Sequence, residues 1–369
     1  MSHPHQGPAG PDGAPCAEGQ RSVAEMMADF AARDRCLRTA ARRAGLPRRA
    51  FLASLAAACS AGAVTASVTP RARGAAPPAA ALAAPAATVA RSRVVVVTHP
   101  EVLIKGYTVN PPIIRQMMDR AVLELTGKRT EAEAWTQVGR EGDFVAIKYN
   151  TMHGPTLQSH TEINDAVVAR LTGDARVDPK RILAVDRALP QRYDELSDPF
   201  TLPSRGLKTR LRRLYTDHAT AIVNVSVLKT HFGDGISAAL KNHLGSVNNP
   251  SAYHGWEPDR MPRSLPELNA LEPIRTKTRL VVIDAVRPLF AGGPVDEPEY
   301  RWDYRGLIVS TDPVAATAVG LRILEQHRAE VRGEPWPMTP ARAMVAWGQK
   351  IGLGAADTAR IDLVQAAMG

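Results

Sequence analysis

The stretch TAIVNVSVLKTHFGDGISAALKNHLGSV, residues 220–247, begins with a continuous apolar run and ends with a cluster of charged and polar residues. The run 220–228 is rich in β-branched residues, which is typical of a strand buried on both faces of a parallel sheet. Because burying an unpaired charge is costly, the polar residues that follow predict solvent, ion-pair partners or a ligand at the end of this strand.

The same stretch predicts a turn and then a helix. Gly233 and Gly235 allow the chain to turn and to approach a ligand closely. Asp234 is expected to cap a helix spanning about 235–244. The N–H groups at such a helix start can hold an anion, helped by Lys229. Alternatively, Asp234 is a cap and nothing more.

Working outward, apolar β-branched segments alternate with helical patterns. Strands are predicted at 93–99, 143–150, 181–186, 220–228, 279–286, 304–310 and 359–364, and helices at 111–127, 161–173, 313–327 and 339–352. This alternation predicts an α/β fold with a largely parallel sheet and helices on both faces. A mixed sheet and a two-lobed arrangement are open alternatives. The proline-rich segment 245–278 breaks the rhythm and predicts a long structured loop.

The net charge of +9 does not by itself indicate a nucleic-acid-binding protein. Residues 1–90 contain ten arginines and five acidic residues, so more than half of the excess charge lies in the N-terminal part. The remainder has neither a stripe of basic residues nor a recognisable nucleic-acid-binding motif. We therefore expect no nucleic-acid partner.

All three cysteines, Cys16, Cys36 and Cys59, lie in the first 59 residues. The chain from residue 60 onward has no thiol. This excludes a thiolate-ligated iron–sulfur cluster, a cysteine-type zinc site, a disulfide and a catalytic cysteine from that part of the chain.

The segment PRRAFLASLAAACSAGAVTASV, residues 47–68, resembles a bacterial twin-arginine translocation signal. It has Arg48 and Arg49, then Phe51 and Leu52, then an alanine-rich apolar run. The resemblance implies export of the folded protein by the twin-arginine translocation machinery, to the periplasm or the extracellular space. An ordinary alanine-rich helix is the alternative.

The sequence predicts four regions. They are an N-terminal extension at 1–47, the signal region at 48–68, an Ala/Pro-rich linker at 69–90 and a folded α/β domain at 91–369. Cleavage after the small residues 61–63, lipid anchoring to the membrane at Cys59 and a start at Met26 or Met27 are open alternatives. No transmembrane helix is expected in the mature protein, because alanine is much less apolar than leucine or isoleucine.

Polar residues recur at the carboxyl ends of the predicted strands, where open parallel sheets bind their ligands. The candidate catalytic residues are His231, Lys241 and Asp312, and the candidate substrate-binding residues are Lys148, Asn150, Lys229, Thr230 and Asn242. The candidate metal ligands are His231, Asp284 and Asp312, although no motif such as HExxH is present. Each residue also has a purely structural interpretation: a helix cap for Asp312, a buried core histidine for His231, and a solvated helix position for Lys241.

Several of these residues lie in segments that resemble a known family. Residues 148–150 look like a lysine–proline–asparagine motif with Tyr149 in place of proline. Five further segments, VNVSVLKTH, AALKNHLGSVN, VIDAV followed by GGP, LIVSTDPVAATAVG and GLGAADTARIDLV, appear in the order of the domain of unknown function 362 (DUF362) family. The resemblance spans about residues 93–366 and implies an α/β domain with no settled reaction.

Some relatives carry a ferredoxin-like iron–sulfur module, which the cysteine-free part of this chain lacks. An iron–sulfur cluster is thus not expected, and the binding of a metal or of another cofactor is left open.

Together these features predict an exported enzyme that acts on a small anionic substrate, with or without a metal. His231 is the candidate acid/base, since histidine changes charge near neutral pH. Lys229 and Lys241 are expected to hold the anion. The alternatives are a non-catalytic periplasmic binding or cofactor-assembly protein, and a structural protein whose polar edge is a buried salt-bridge network.

Overall fold

A computed structural model of the protein describes residues 91–152, 154–231, 235–254 and 260–369. The predicted signal, the linker and the lipid-anchoring site at Cys59 lie outside these residues, as does Asp234. The described residues belong to a single compact unit, so the two-lobed alternative is not seen among them.

The described chain forms one large sheet, with two small two-stranded sheets beside it. The strands are β1 (Ser92–Thr98), β2 (Leu103–Lys105), β3 (Thr108–Val109), β4 (Val145–Lys148), β5 (Ile182–Val185), β6 (Phe200–Leu202), β7 (Leu207–Thr209), β8 (Ala221–His231), β9 (Gly235–Ser237), β10 (Thr278–Leu289), β11 (Gly306–Ser310) and β12 (Ile361–Ala367).

The α-helices of the described residues are α1 (Pro111–Thr126), α2 (Glu131–Trp135), α3 (Thr161–Gly173), α4 (Gln191–Asp194), α5 (Ala239–Asn242), α6 (Arg260–Ala270), α7 (Glu272–Arg275), α8 (Pro313–Arg332) and α9 (Thr339–Lys350). None of these helices is long and apolar enough to cross a membrane.

The order of strands in the large sheet is β12-β1-β11-β10-β8-β4-β5, and β9 pairs with the end of β8. Strands β10, β8, β4 and β5 run parallel, as do β1 and β12. Strand β11 is antiparallel to both of its neighbours, β1 and β10. The prediction of a largely parallel sheet with helices is confirmed, and the sheet is mixed because β11 enters it in reverse.

Apolar side chains cover both faces of the sheet, because the central strands are apolar at successive positions. On one face, α1 and α3 pack Met117, Met118 and Val167 against the sheet. On the other face, α5, α6, α8 and α9 contribute residues such as Leu265 and Met344 to a second core. The helices therefore leave the strand ends as the place where polar side chains meet.

The helix starts and stops follow local sequence signals. Helix α1 begins with prolines and ends at Gly127, whose φ of 65° closes the last turn. Helix α8 begins at Pro313, and the carboxylate of Asp312 accepts from Val314 N at 2.8 Å and Ala315 N at 3.0 Å.

Two local predictions are wrong. Residues 235–237 form strand β9 instead of a helix, because Gly235, at φ 81°, lets the chain pair back along the end of β8. The helix here has only four residues and begins at Ala239. The segment 245–278 contains α6, which accommodates Pro266 within it, so it is not a continuous irregular loop.

Candidate functional site

The carboxyl ends of β4, β5, β8 and β10 meet at one edge of the sheet, which we call the carboxyl edge. Because these strands are parallel neighbours, Lys148 at the end of β4 pairs with Val185 at the end of β5 and with Asn224 of β8, and β8 extends seven residues beyond Asn224. Strand β8 continues to His231, three residues further than predicted, and carries Lys229 and Thr230 within it. The sequence therefore predicted the position of this polar edge.

Lys148 is fully buried and all of its hydrogen-bonding capacity is used inside the protein. Its Nζ donates to Asp186 Oδ1 at 2.7 Å, to Tyr149 O at 2.7 Å and to Asn242 Oδ1 at 3.2 Å. Asn242 Nδ2 in turn donates to Lys148 O at 2.8 Å and to Asn224 Oδ1 at 2.7 Å. Lys148 and Asn242, both predicted to bind substrate, thus join α5 to the strand ends.

Asp186 also holds the chain that follows β4. Its Oδ2 accepts from Thr151 N at 2.9 Å and from Thr151 Oγ1 at 2.6 Å. Burial raises the pKa of Asp186, but the charge of Lys148 and these hydrogen bonds outweigh it and hold that pKa below its ordinary value. Asp186 is therefore a carboxylate that fixes the start of the segment after β4.

A second buried pair, His160 with Asp284, was missed by sequence reasoning. His160 Nδ1 lies 2.7 Å from Asp284 Oδ2, which also accepts from His160 N at 2.8 Å. Burial lowers the pKa of His160, but the charge and hydrogen bond of Asp284 prevail and raise it to about 9. Burial likewise raises the pKa of Asp284, and the charge of His160 turns the net shift downward. Asp284 is therefore the counter-ion of an imidazolium, and its only sequence signal was its position in a strand.

Lys229 differs from Lys148 in its partners. It is 1% exposed, and its Nζ donates to Leu157 O at 3.0 Å and Met152 O at 3.3 Å. No carboxylate within the described part of the chain forms an ion pair with it. Burial and the positive charges of Lys241 and Arg301 lower the pKa of Lys229 to about 7, although Asp186 opposes this.

Lys277 makes the same kind of contact in different surroundings. Its Nζ donates to Tyr215 O and Thr216 O, both at 2.8 Å. Burial lowers the pKa of Lys277, and the acidic residues Glu272 and Asp217 oppose this, whereas Lys241, Asp186 and Arg301 all act on Lys229. Hydrogen bonding to carbonyls is therefore common to both lysines, and deeper burial and nearby basic residues distinguish Lys229.

Lys241 lies between two histidines. Its Nζ is 3.0 Å from His231 Nε2 and 3.4 Å from His254 Nε2, and the two rings are 5.8 Å apart. His254 Nδ1 is 3.0 Å from Pro250 O, which can only accept, so Nδ1 carries a proton. The structure thus brings His231 and Lys241 together, and adds His254.

Thr230 and Asn150 complete the edge. Thr230 Oγ1 accepts from Gly293 N at 3.1 Å, and a Cβ at position 293 would overlap the carbonyl of Thr230. Gly293 thus allows the segment after β10 to approach β8 closely. The segment continues to Asp296, which accepts from Thr156 Oγ1 at 2.6 Å and pairs with Arg301. Asn150 Oδ1 is buried and has no hydrogen-bond partner among the described residues.

Asp312 does not belong to this site. Since β11 is antiparallel to its neighbours, its carboxyl end lies at the opposite edge of the sheet. There Asp312 caps α8, and its Oδ2 accepts from Ser92 Oγ at 2.6 Å and Ala355 N at 2.8 Å. The expectation that Asp312 shares a site with His231 is wrong, because the sequence does not state the direction of β11.

The three candidate metal ligands are likewise not gathered at one place. Asp284 is occupied by His160, and Asp312 is at the far edge. Within the described residues, no group of three or more histidine, cysteine, aspartate or glutamate side chains has an arrangement that could hold a metal ion.

The chain is similar to one solved structure and to one protein-family model. A crystal structure of a protein from Thermotoga maritima is similar at 10% identity and a TM-score of 0.28. The similarity covers 63% of this chain and 61% of that one, so the chain spans less than two thirds of that protein; likeness this weak carries no argument. No curated protein matches. Residues 200–322, about a third of the chain and including Lys229, His231, Lys241 and Asp284, match the model of the domain of unknown function (DUF362), which supports the family that the sequence motifs indicate.

Proposed function

We propose that the carboxyl edge binds a small anionic substrate and that the protein acts on it as an enzyme. The observation that carries the proposal is Lys229, a lysine buried at a strand end without a carboxylate partner in the described structure. Two further basic residues, Lys241 and Arg301, and one acidic residue, Asp186, act on its charge.

The free-energy cost of burying the charge of Lys229 favours a bound anion beside it. A buried cation needs a partner, and Lys229 has only two main-chain carbonyls within hydrogen-bonding distance, while Lys241 and Arg301 repel it and Asp186 attracts it. An anion at Lys229 would therefore lower the free energy of the site. Lys148 and His160 are not available for the same purpose, because each already faces a buried carboxylate. Lys229 therefore determines where the anion binds.

The other residues take roles that their contacts support. Lys241 and His231, 3.0 Å apart, form a pair that can hand a proton to or from the bound molecule. The hydroxyl of Thr230, which accepts from Gly293 N, can donate to the bound anion, and Asn150 Oδ1 can accept from a donor group of the same molecule. Lys148 and Asn242 are positioning residues, since their polar groups bond within the protein.

Calorimetric titration with inorganic phosphate and with propionate at pH 6.5 tests the binding site. Wild type should bind at least one of them, and Lys229→Met should weaken that binding by about 10–100-fold, the loss expected for a charged hydrogen bond. Lys277→Met is the matched control and should bind as wild type does. Equal binding by wild type and Lys229→Met, or no binding of either anion by wild type, would refute the proposal.

A non-catalytic binding or cofactor-assembly protein is the alternative function. The two are separated by His231→Ala, which should keep anion affinity in both cases. In an enzyme it should abolish turnover of the bound molecule, whereas in a binding protein no turnover exists to be lost.

The proposal places this activity outside the cytoplasm, in the periplasm or extracellular space. Its support is the twin-arginine pattern of Arg48 and Arg49 followed by Phe51 and Leu52. Changing both arginines to lysine should leave the full-length protein in the cytoplasmic fraction of a twin-arginine-competent bacterium, while the unchanged chain is exported. Export of the double variant at the wild-type level would contradict this route.

A further inference from the structure

We propose that Arg301 is a second substrate-binding residue of the carboxyl edge, and that the anionic substrate carries two acidic groups, one bound at Lys229 and the other at Arg301. This inference rests on the proposed function, because it names the substrate class of the same site. It goes further, since the site at Lys229 requires only one acidic group.

The strand register places Arg301 close to Lys229. Leu289 of β10 pairs with Lys229 of β8 on one side and with Arg301 on the other. Neighbouring strands lie about 4.8 Å apart, and the side chains of residues paired across them share one face of the sheet. Lys229 and Arg301 therefore project from the same face, from backbone positions about 10 Å apart.

Arg301 is buried with hydrogen-bond donors that the described residues do not use. Its side chain is fully buried, pairs with Asp296 through Nη2, and stacks on Tyr107, 4.5 Å from the ring centroid. Its Nε and Nη1 have no hydrogen-bond partner in the described part of the chain. Because unpaired donors on a buried charged group are costly, these nitrogens favour an acceptor from a bound molecule.

Arg328 is the comparable buried arginine elsewhere in the chain. It also stacks on an aromatic ring, 3.7 Å from the centroid of Trp336. Its Nε donates to Trp336 O at 3.0 Å, and its Nη1 donates to Phe290 O at 2.6 Å. The two nitrogens that carbonyls occupy at Arg328 are the two left without a partner at Arg301, so stacking and burial do not by themselves account for Arg301.

Solvent reaches the ion pair of Arg301 from the side of Asp296. The side chain of Asp296 is 25% exposed, whereas that of Arg301 is not exposed. Asp296 accepts from Thr156 Oγ1 at 2.6 Å, and the next residue, Leu157, provides a carbonyl that accepts from Lys229 at 3.0 Å. A molecule that displaces solvent beside Asp296 therefore comes near both basic groups.

An acidic group suits the donors of Arg301. Guanidinium N–H groups form their strongest hydrogen bonds with carboxylate and phosphate oxygens. Asp296 balances only one of the positive charges of Lys229 and Arg301, and it engages Nη2 alone. A molecule with two acidic groups can balance the remaining charge and also supply the acceptor that Arg301 lacks.

The test is calorimetric titration of the full-length protein at pH 6.5 with ligands that carry one or two acidic groups. Malonate, succinate and glutarate are compared with propionate, butyrate and valerate of equal chain length, and 3-phosphonopropionate is compared with propionate. Wild type should bind at least one two-acid ligand about tenfold or more tighter than its one-acid counterpart, the gain expected for a charged hydrogen bond. A gain only for 3-phosphonopropionate would identify the second group as a phosphoryl group.

Arg301→Met should abolish this preference, so that both members of a pair bind with the same affinity. Arg287→Met is the matched control and should keep it. Arg287 lies 4.7 Å from the centroid of the same Tyr107 ring, but it pairs with Asp303 and its Nη1 donates to Gly106 O at 2.9 Å.

Arg301→Lys keeps the test decisive if Arg301→Met does not fold. It retains a positive charge for Asp296 but lacks the two unpartnered donors, so the preference should fall below about threefold. If wild type binds one-acid ligands and shows no preference for two, or if either Arg301 variant keeps the preference, Arg301 is structural and anion binding at Lys229 stands. If wild type binds neither phosphate nor any of these ligands, this inference and the proposed function fail together.

Discussion

Raising the pH from 6 to 9 should stabilise wild type relative to the Lys229→Met variant. The pKa of Lys229 is about 7 in the folded protein and 10.5 ordinarily. Between these values the unfolded chain binds more protons than the folded one, so wild type gains stability as the pH rises through this window. Methionine has no such dependence. The free energy of unfolding of wild type, minus that of Lys229→Met, should therefore rise by roughly 2–3 kcal/mol from pH 6 to pH 9.

Urea unfolding at both pH values measures this effect. The change with pH is the informative quantity, since methionine also leaves the carbonyls of Met152 and Leu157 without a donor at every pH. Lys277→Met is the control and should show a smaller dependence, because Lys277 is more exposed and acidic residues act on it. A pH-independent difference for Lys229→Met would mean that Lys229 has an ordinary pKa.

Breaking the His160–Asp284 pair should cost about 3–5 kcal/mol of stability near pH 6, because His160→Gln leaves Asp284 buried and unpaired. The raised pKa of His160 gives stability that is fully present below 6.5 and is lost as the pH rises through about 9. The lowered pKa of Asp284 gives stability that is present above 3.8 and is lost as the pH falls. The cost of the substitution should therefore be largest between these limits and decline towards pH 9.

Asp362→Asn provides the matched control for a broken ion pair. Asp362 lies 2.8 Å from Arg93, but both side chains are more than a third exposed. Exposed pairs contribute about 1 kcal/mol or less, so this variant should stay close to wild type in the same unfolding experiment. A comparable loss for both variants would show that burial of the His160–Asp284 pair has no special importance.

The large elements of the fold were predictable from sequence because their signals are local. Each signal lies within a few residues of the element that it predicts, as do the apolar run of β8, the prolines of α1 and the Asp312–Pro313 start of α8. The direction of β11 is different, because its five buried residues, GLIVS, suit either direction equally. That one reversal moves Asp312 to the far edge of the sheet.

The position of the carboxyl edge was predictable from the sequence. Which of its lysines forms a buried ion pair was not. Lys148 and Lys229 look alike in sequence, each a lysine at the end of an apolar strand. They differ only in whether a carboxylate from a distant part of the chain reaches them, as Asp186 reaches Lys148. His160 escaped notice for the same reason, since its partner Asp284 is 124 positions away.

The most direct test of the account is the affinity for propionate, measured calorimetrically from pH 6 to pH 8.5 in wild type and in Lys229→Met. Propionate is fully ionised over this range, so any change must come from the protein. The account predicts that wild-type affinity falls by about tenfold or more across the range, as Lys229 loses its proton, and that Lys229→Met binds weakly at every pH. The same affinity and the same pH dependence in both proteins would contradict it.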